Sequence, residues 1–161
     1  MKKIKLKLKL FYPFILLFTF TACFSGPSGG EDLLGPDKDK NGVRDDVDEW
    51  ITDQGLDFNK SEALRLMAKN LRLALKHHKD REKSNFYSHE VDSASYCLFT
   101  LLKYNSRLKI KYSKELYKLS INNEERILAY ADVNVNFSGE VSYFERDLNK
   151  SCKFKLSKES L

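Results

Sequence analysis

The sequence predicts a mainly α-helical protein, a small domain of about four to five helices with at most one short β-hairpin, which is entered through an aspartate-rich loop. Three observations predict this fold class. Apolar residues recur at helical spacing in four segments between residues 43 and 135. Asn, Asp and Gly residues stand between those segments, where helices begin and end. About 125 residues follow residue 36, which is enough for one domain with a single hydrophobic core.

Residues 1–22 have the layout of a secretory signal peptide. Five lysines precede an apolar run from Phe11 to Ala22, and this run is shorter than the roughly 20 residues of a membrane span. The Phe-Thr-Ala-Cys sequence that closes the run resembles the lipobox of bacterial lipoproteins, although Phe20 stands where that motif usually has Leu. The resemblance implies that the signal peptide is removed and that Cys23 carries the lipid. The alternative is an ordinary secreted protein that is cut near Ala22 with Cys23 free.

The residues after Cys23 bear on location. In enterobacterial-type lipoprotein sorting, an Asp directly after the lipidated cysteine retains the protein in the inner membrane, whereas residue 24 here is Phe. The resemblance therefore implies a lipid-anchored protein of the cell envelope, with the outer membrane favoured over the inner. Residues 23–36 are rich in Gly, Ser and Pro, and we predict that they form the lipidated cysteine and a flexible tether. Residues 37–161 would then form the helical domain.

The net charge of the chain comes from its signal segment. The whole sequence has 28 Lys and Arg and 23 Asp and Glu, but five of the lysines precede residue 10, so 23 of each sign remain. This balance gives no support for nucleic acid as a partner. The cysteine count is three, and with Cys23 lipidated, Cys97 and Cys152 remain as a pair. We expect a disulfide between them in an oxidising envelope, with two buried free thiols as the alternative.

The first two helices are predicted from their apolar faces and their ends. The first leaves the aspartate-rich stretch and ends at Gly55, because Gly is the usual residue just past a helix. The second begins near Asn59, which has capping-box spacing to Glu62, and it runs toward Lys83. The predicted buried faces are Val43, Val47, Trp50 and Ile51 in the first helix, and Leu64, Met67, Leu71, Ala74 and Leu75 in the second.

Two further helices follow by the same reasoning. The third carries Cys97 on the flank of its apolar face, and the fourth begins near Asn122 and ends at Gly139. Their predicted buried faces are Val91, Ala94, Leu98, Leu101 and Leu102 in the third helix, and Ile127, Leu128, Ala131 and Val135 in the fourth.

The segment RLKIKYS, residues 107–113, departs from helical spacing. Its apolar and basic residues alternate, and this period of two predicts an edge strand that residues 140–144 could pair with. A helix that also takes in Leu116 and Leu119 is the alternative. The same region is basic and contains Lys103, Arg107, Lys109, Lys111, Lys114 and Lys118 against Glu115. We interpret it either as a solvated face or as a contact with anionic lipid or lipopolysaccharide.

The stretch DKDKNGVRDDVD, residues 37–48, places oxygen-bearing side chains at alternate positions around Gly42. Calcium requires six to eight oxygen ligands that converge, and short acids on a sharply turning chain provide them. The candidate ligands are Asp37, Asp39, Asn41, Val43 through its carbonyl, Asp45 and Asp48. The stretch resembles an EF-hand loop, and more closely the isolated loops of dockerins and thrombospondin type-3 repeats.

Departures from the EF-hand pattern limit this prediction to one structural-type calcium ion. We expect no helix before the loop, Asp48 is shorter than the usual Glu, and Arg44 replaces the apolar residue through which two loops pair. The alternative needs no metal, because the acids at 45, 46, 48 and 49 fall in the first turn of a helix, where the helix dipole favours them.

The chain also resembles a group of short bacterial envelope proteins of unassigned function. In that group an NG(V/I)RDDV element, here residues 41–47, follows an export signal and precedes a helical domain with late cysteines. No catalytic motif accompanies it: His89-Glu90 lacks the second histidine of a zinc-protease motif, and neither a nucleophile elbow nor a phosphate loop is present. We therefore expect a non-enzymatic envelope lipoprotein that binds the membrane through its anchor and contacts anionic lipid or an envelope protein. A small hydrolase of cell-wall or carbohydrate material is the alternative.

Overall fold

The structure is a computed structural model that describes residues 31–141 and 147–157. The predicted signal peptide, Cys23 and the first part of the predicted tether lie outside these residues. The described chain is mainly helical and contains no β-strand, which confirms the predicted fold class at this level. Its helices are α1 (Glu31–Leu34), α2 (Asp45–Asp53), α3 (Phe58–Lys76), α4 (Arg81–Leu101), α5 (Ser106–Ser120), α6 (Glu124–Phe137) and α7 (Leu148–Cys152).

The helices α3 and α4 form the centre of the domain. They are joined by residues 77–80 and pack against each other, and α2, α5, α6 and α7 contact one or both of them. Leu64, Met67 and Leu71 of α3 are buried against Ala94 and Leu98 of α4. The predicted apolar faces of the second and third helices are therefore confirmed at these positions.

Short polar side chains begin five of the described helices, as Ncap residues commonly do. The side chain of Asp80 accepts a hydrogen bond from the amide of Lys83 at 3.1 Å, and it therefore starts α4 soon after α3 ends at Lys76. The predicted extension of one helix toward residue 83 is wrong for this reason. The predicted cap Asn59 is also wrong, because Asp57 caps α3 and Asn59 lies inside the helix, fully buried.

The predicted edge strand at residues 107–113 is helical and belongs to α5. Asn105 caps this helix by accepting a hydrogen bond from the amide of Leu108 at 3.1 Å. Tyr112, Leu116 and Ser120, which are spaced by four residues, face the core. The helical alternative prevails because this spacing buries one continuous stripe, whereas the alternating pattern would leave Leu116 without a place in the core. Residues 142–144 of the predicted partner strand lie outside the described residues.

The predicted buried face of the fourth helix is also wrong. The side chains of Ile127, Leu128 and Val135 are exposed, whereas Ala129 and Val133 of α6 pack into the core. Apolar residues occupy more than one face of α6, so their spacing alone does not identify the buried one. The small Ala129 and Val133 join Leu33, Ala74 and Leu75 in a second, smaller core cluster.

A disulfide bond joins Cys97 of α4 to Cys152 of α7, as predicted. Both cysteines are fully buried, and the bond closes a sequence separation of 55 residues. It fixes the C-terminal segment on α4. Phe154 and Leu156, which follow the bond, pack against the main core.

The last residues of the predicted tether belong to the packed domain. Glu31–Leu34 forms the four-residue helix α1, which packs on α3 and α6, and Leu33 is buried. The expectation that no helix precedes the aspartate-rich loop is therefore wrong, although α1 is only about one turn long. The helix α1 forms because Leu33 packs into the second core cluster. This packing compensates for the neighbouring Gly and Pro residues, which disfavour an isolated helix.

Candidate functional site

The predicted calcium loop lies between α1 and α2, and its side chains accept hydrogen bonds from its own backbone. Asp37 Oδ2 accepts from the amide of Gly42 at 3.2 Å, and Asp39 Oδ1 accepts from the amide of Asn41 at 3.2 Å. Asn41 Oδ1 in turn accepts from the amide of Val43 at 2.7 Å. These contacts curl the backbone into successive turns of the kind that Asp and Asn side chains favour.

Gly42 is required where the loop turns. Its φ of +92° belongs to the region that favours glycine, and a Cβ there would lie 2.9 Å from Cε of Lys69 on α3. The loop therefore packs closely on α3 at this residue, whereas the sequence predicted only a sharp turn there.

One amide group joins three of the predicted calcium ligands. Asn41 Nδ2 donates to Asp39 Oδ2 at 2.9 Å and to Asp48 Oδ2 at 3.0 Å. Asp48 lies on α2 and Asp39 lies in the loop, so Asn41 closes the loop onto the helix that follows it. This part of the predicted constellation is brought together in the structure.

Two arginines of α3, which the sequence analysis did not identify, bind the carboxylates of the loop. Arg72 Nη1 donates to Asp37 Oδ2 at 2.9 Å, and Arg65 Nε donates to Asp48 Oδ1 at 2.6 Å. The two arginines lie seven residues apart, which is two helical turns, so they share one face of α3. They supply positive charge at two predicted ligands, and a cation bound there would share these carboxylates with them or displace them.

The remaining predicted ligands are arranged differently. Asp45 Oδ1 accepts from the amide of Lys38 at 2.9 Å, and Lys38 Nζ lies 3.5 Å from Asp45 Oδ2. Val43 is buried in the main core. Among the described residues, no group of three or more His, Cys, Asp and Glu side chains could hold a metal ion. Asp37 Oδ1 is buried and lacks a hydrogen-bond partner within the described chain.

Arg44 connects the loop to α5. Its side chain is buried, and Nη2 donates to the carbonyl of Leu119 at 2.6 Å and to Asp46 Oδ2 at 2.7 Å, while Nε pairs with Asp46 Oδ1. This hydrogen-bonded pairing with the Arg44 guanidinium lowers the pKa of the Asp46 carboxyl below its usual value. The sequence marked Arg44 only as a departure from the EF-hand pattern, because Leu119, the partner that joins it to α5, lies 75 residues away.

Arg44 also contacts the first residues of the domain. Gly35 has a φ of +66°, and a Cβ there would lie 2.3 Å from Cδ of Arg44. The chain segment that enters the domain is therefore in contact with the residue that binds the C-terminal end of α5.

A groove of about 490 Å³ lies between the loop, α3 and the C-terminal segment. Asp48, Glu62, Arg65, Lys69 and Lys153 contribute charged groups of both signs to its lining. Arg65 pairs with Asp48 at 2.6 Å and with Glu62 at 3.0 Å, so that these two carboxylates share one guanidinium.

The histidines have separate partners. His78 Nδ1 lies 2.7 Å from Asp132 Oδ2, the ring of His77 stacks on Tyr87 at 5.6 Å, and His89 meets the ring of Phe137 edge-on at 4.9 Å. They therefore do not form one constellation.

A basic segment occupies α5 and the turn before it. We call its cations the α5 basic surface; they are Lys103, Arg107, Lys109, Lys111, Lys114 and Lys118. All are exposed except Lys109, which is half-buried on the side of α5 that carries Leu116. Tyr104, Leu108 and Ile110 are exposed beside these residues, with 59%, 36% and 61% of their surface accessible. The segment was identified in the sequence from its charge, but only the helical conformation places its apolar residues in solvent.

Comparison with known proteins gave no match to a protein-family model, to a curated protein or to a solved structure. None of the helices in residues 31–141 and 147–157 combines the length and the apolar composition that crossing a membrane requires.

Proposed function

We propose that the chain is a lipid-anchored protein of the cell envelope, attached through Cys23, whose helical domain is a non-enzymatic binding module. The observation that carries the proposal is the packing of α1 on α3 and α6 only a few residues after Cys23. Seven residues of the sequence, 24–30, separate Cys23 from Glu31. A tether of seven residues would span about 15 Å and would hold the domain close to the lipid.

The attachment of α1 to the domain supports this proposal. Leu33 is buried in the second core cluster, and Arg126 Nε donates to its carbonyl at 2.9 Å. A domain that is fixed to its own N-terminal segment would present a defined set of surfaces to the membrane. We favour the outer membrane, on the ground that residue 24 is Phe.

Calcium is the second part of the proposal. One ion would bind weakly at the predicted ligands, Asp37, Asp39, Asn41, the Val43 carbonyl, Asp45 and Asp48. The buried, unpartnered Asp37 Oδ1 and the amide that joins Asp39, Asn41 and Asp48 support it. Arg65 and Arg72 oppose it, because each already neutralises a carboxylate that the ion would need. The ion would stabilise the start of the domain.

The hydrolase alternative has no observation in its favour within the described residues. The groove beside α3 holds carboxylates, but Asp48 and Glu62 are both paired with Arg65. We therefore retain binding as the proposed function.

The test of anchoring is expression of the full chain in a bacterium that processes lipoproteins, with labelled fatty acid in the medium. The wild-type chain should carry the label and sediment with membranes, because its lipobox cysteine is acylated. Cys23→Ser should do neither. Phe24→Asp is the matched control for location: it should keep the label and move the protein from the outer to the inner membrane. A soluble, unlabelled wild-type chain would contradict the proposal, and so would label that remains on Cys23→Ser.

A further inference from the structure

The outward side of α5 carries a straight row of cations. Arg107, Lys111, Lys114 and Lys118 lie at spacings of four, three and four residues, which places them on one face of a helix, and all four are exposed. The row is about 16 Å long. Leu116 lies on the opposite face of α5 and is fully buried, so the domain holds the row in one fixed orientation.

The charges of the α5 basic surface are largely uncompensated. Lys118 Nζ lies 3.8 Å from Glu115 Oε2, and within residues 31–141 and 147–157 this is the one ion pair that the six cations make. Some lysines elsewhere in the domain are paired more closely, for example Lys83 with Asp80 at 2.8 Å and Lys79 with Asp132 at 2.7 Å. Adjacent like charges on a helix repel one another, so this surface would be stabilised by an external anion.

Exposed apolar side chains accompany the cations. Ile110 lies on one side of the row and Leu108 on the other, and Tyr104 precedes the helix. An anion-binding surface for a small soluble ligand does not need them. A surface that meets a bilayer combines both, because its cations bind headgroups while its apolar and aromatic side chains enter the boundary between headgroup and acyl chain.

The anchor would lie at one end of this surface. Arg44 donates to the carbonyl of Leu119 in the last turn of α5 and contacts Gly35, which directly follows α1. The N-terminal segment and the C-terminal end of α5 are therefore in contact with the same side chain. A tether of seven residues between Cys23 and α1 would span about 15 Å, which is comparable to the length of the row.

We infer that the α5 basic surface lies on the anionic phospholipid headgroups of the bilayer that holds the anchor. The proposal rests on the proposed lipid anchor for the orientation of the domain but not for the binding itself. Anionic phospholipid fits this surface better than a protein partner does. The surface combines positive charges with scattered apolar side chains, and it is convex because it is one side of a single helix. The lipid would retain the protein, and the α5 basic surface would decide which face of the domain meets the membrane.

The test uses the mature chain from residue 23 with Cys23→Ser, so that no lipid contributes to binding. The protein is mixed with phosphatidylcholine vesicles that either contain or lack phosphatidylglycerol, and the sedimented fraction is measured at low and high salt. We expect binding only to the vesicles with phosphatidylglycerol, and its loss at high salt, because exposed charges are screened. Each lysine near an anionic membrane contributes about a fivefold change in partitioning.

The variants separate a specific surface from general charge. The double substitution Lys111→Glu and Lys114→Glu should lower vesicle binding by at least about twentyfold, as two such contributions predict. Lys76→Glu together with Lys155→Glu is the matched control, because both lysines are exposed, lie outside the surface and give the same change in net charge. Ile110→Ser should weaken binding further at a salt concentration where electrostatic attraction is screened. Circular dichroism establishes that each variant is folded.

The outcomes distinguish this inference from the proposed anchor. A chain that is acylated at Cys23 in cells but does not bind phosphatidylglycerol vesicles would refute the surface and leave the anchor intact. Vesicle binding by the Cys23→Ser chain, together with a wild-type chain that is not acylated in cells, would support the surface and refute the anchor. Equal losses in the two double variants, or equally strong binding to a DNA duplex at the same salt, would overturn the inference.

Discussion

The side-chain amide of Asn59 on α3 binds both backbone groups of Ser157. Asn59 Nδ2 donates to the carbonyl of Ser157 at 2.9 Å, and Asn59 Oδ1 accepts from its amide at 2.8 Å, across a sequence separation of 98 residues. Asn59 is fully buried, so water does not replace these contacts. Together with the disulfide at Cys152, this pair holds the C-terminal segment on the core.

Asn59→Ala should therefore destabilise the domain by about 1–3 kcal/mol, because it leaves both backbone groups of Ser157 without their partner in a partly buried place. Chemical denaturation at neutral pH measures the change in the free energy of unfolding. Asn149→Ala, at an exposed position of α7, is the control and should change it by less than about 0.5 kcal/mol. Equal effects of the two substitutions would show that the contact to Ser157 contributes nothing.

Reduction of the Cys97–Cys152 disulfide should lower the melting temperature. The bond closes a loop of 55 residues, and the entropy of the unfolded chain that it removes corresponds to about 4 kcal/mol. The native protein, unfolded without reductant, should give no thiol from this pair in a titration. Two thiols in that titration would contradict the disulfide. Cys97→Ala with Cys152→Ala should melt at the same temperature whether or not reductant is added.

Calcium should raise the melting temperature of the mature domain relative to chelator. Binding to the folded state alone stabilises it by about 2.7 kcal/mol at a hundredfold excess over the dissociation constant. A single loop that ends in Asp should have a dissociation constant on the order of 0.1–1 mM. Magnesium should have a smaller effect, because it demands tighter octahedral geometry.

The control variants for calcium follow from the contacts of the loop. Asp39→Ala should remove most of the effect, since Asp39 is a predicted ligand that caps no helix. Glu49→Ala removes an acid of the same stretch that is exposed on α2 and is not a predicted ligand, so it should retain the effect. Asp46 is unsuitable as a control because it binds Arg44. Unchanged melting with calcium, or equal shifts in wild type and Asp39→Ala, would leave the loop as a metal-free turn closed by Arg65 and Arg72.

The pairing of Asp46 with Arg44 should contribute to acid sensitivity. The pKa of Asp46 in the folded state is lowered, chiefly by the hydrogen bond from Arg44. The unfolded chain thus binds the proton more readily, so the stabilisation is present above about pH 4 and is lost as pH falls through the folded-state pKa. Asp80 and Asp132 should also make the domain less stable at low pH, because hydrogen bonds from Lys83 and Lys79 lower their pKa values.

Asp46→Asn should consequently be less stable than wild type at neutral pH. Its free energy of unfolding should also decrease less than that of wild type between about pH 5 and pH 2, because this is the range in which a lowered Asp pKa makes stability depend on pH. Denaturant midpoints across this range provide the measurement. Asp53→Asn, at an exposed position of α2, serves as the comparison. If the two variants have parallel pH profiles, the Arg44 pair does not contribute to acid unfolding.

Local chemistry was sufficient to predict much of the fold. The apolar spacing in α2, α3 and α4 identified buried faces correctly, because in each of these helices the apolar residues occupy mainly one side. Gly55 and Gly139 both adopt positive φ just past helix ends, as their positions in the sequence predicted. The pairing of Cys97 with Cys152 followed from the number of cysteines that remain once Cys23 is assigned to lipid.

Local spacing failed where two arrangements compete for one core. The alternation in residues 107–113, taken by itself, fits a strand. The segment is helical because the helix buries Leu116 in the main core. In α6 the exposed Ile127 and Leu128 are more apolar than the buried Ala129, so hydrophobicity alone selects the wrong face. Neither choice can be made from a segment in isolation.

The sequence by itself determined the helical class, the disulfide pair and the basic segment, because each depends on residue type and short-range spacing. The tertiary structure decided that Arg65 and Arg72 of α3 bind the loop, that Arg44 joins it to α5 and that Asn59 holds Ser157. These contacts join residues 17 to 98 positions apart. Their formation depends on which helix faces meet, and that is set by burial over the whole chain rather than by any local pattern.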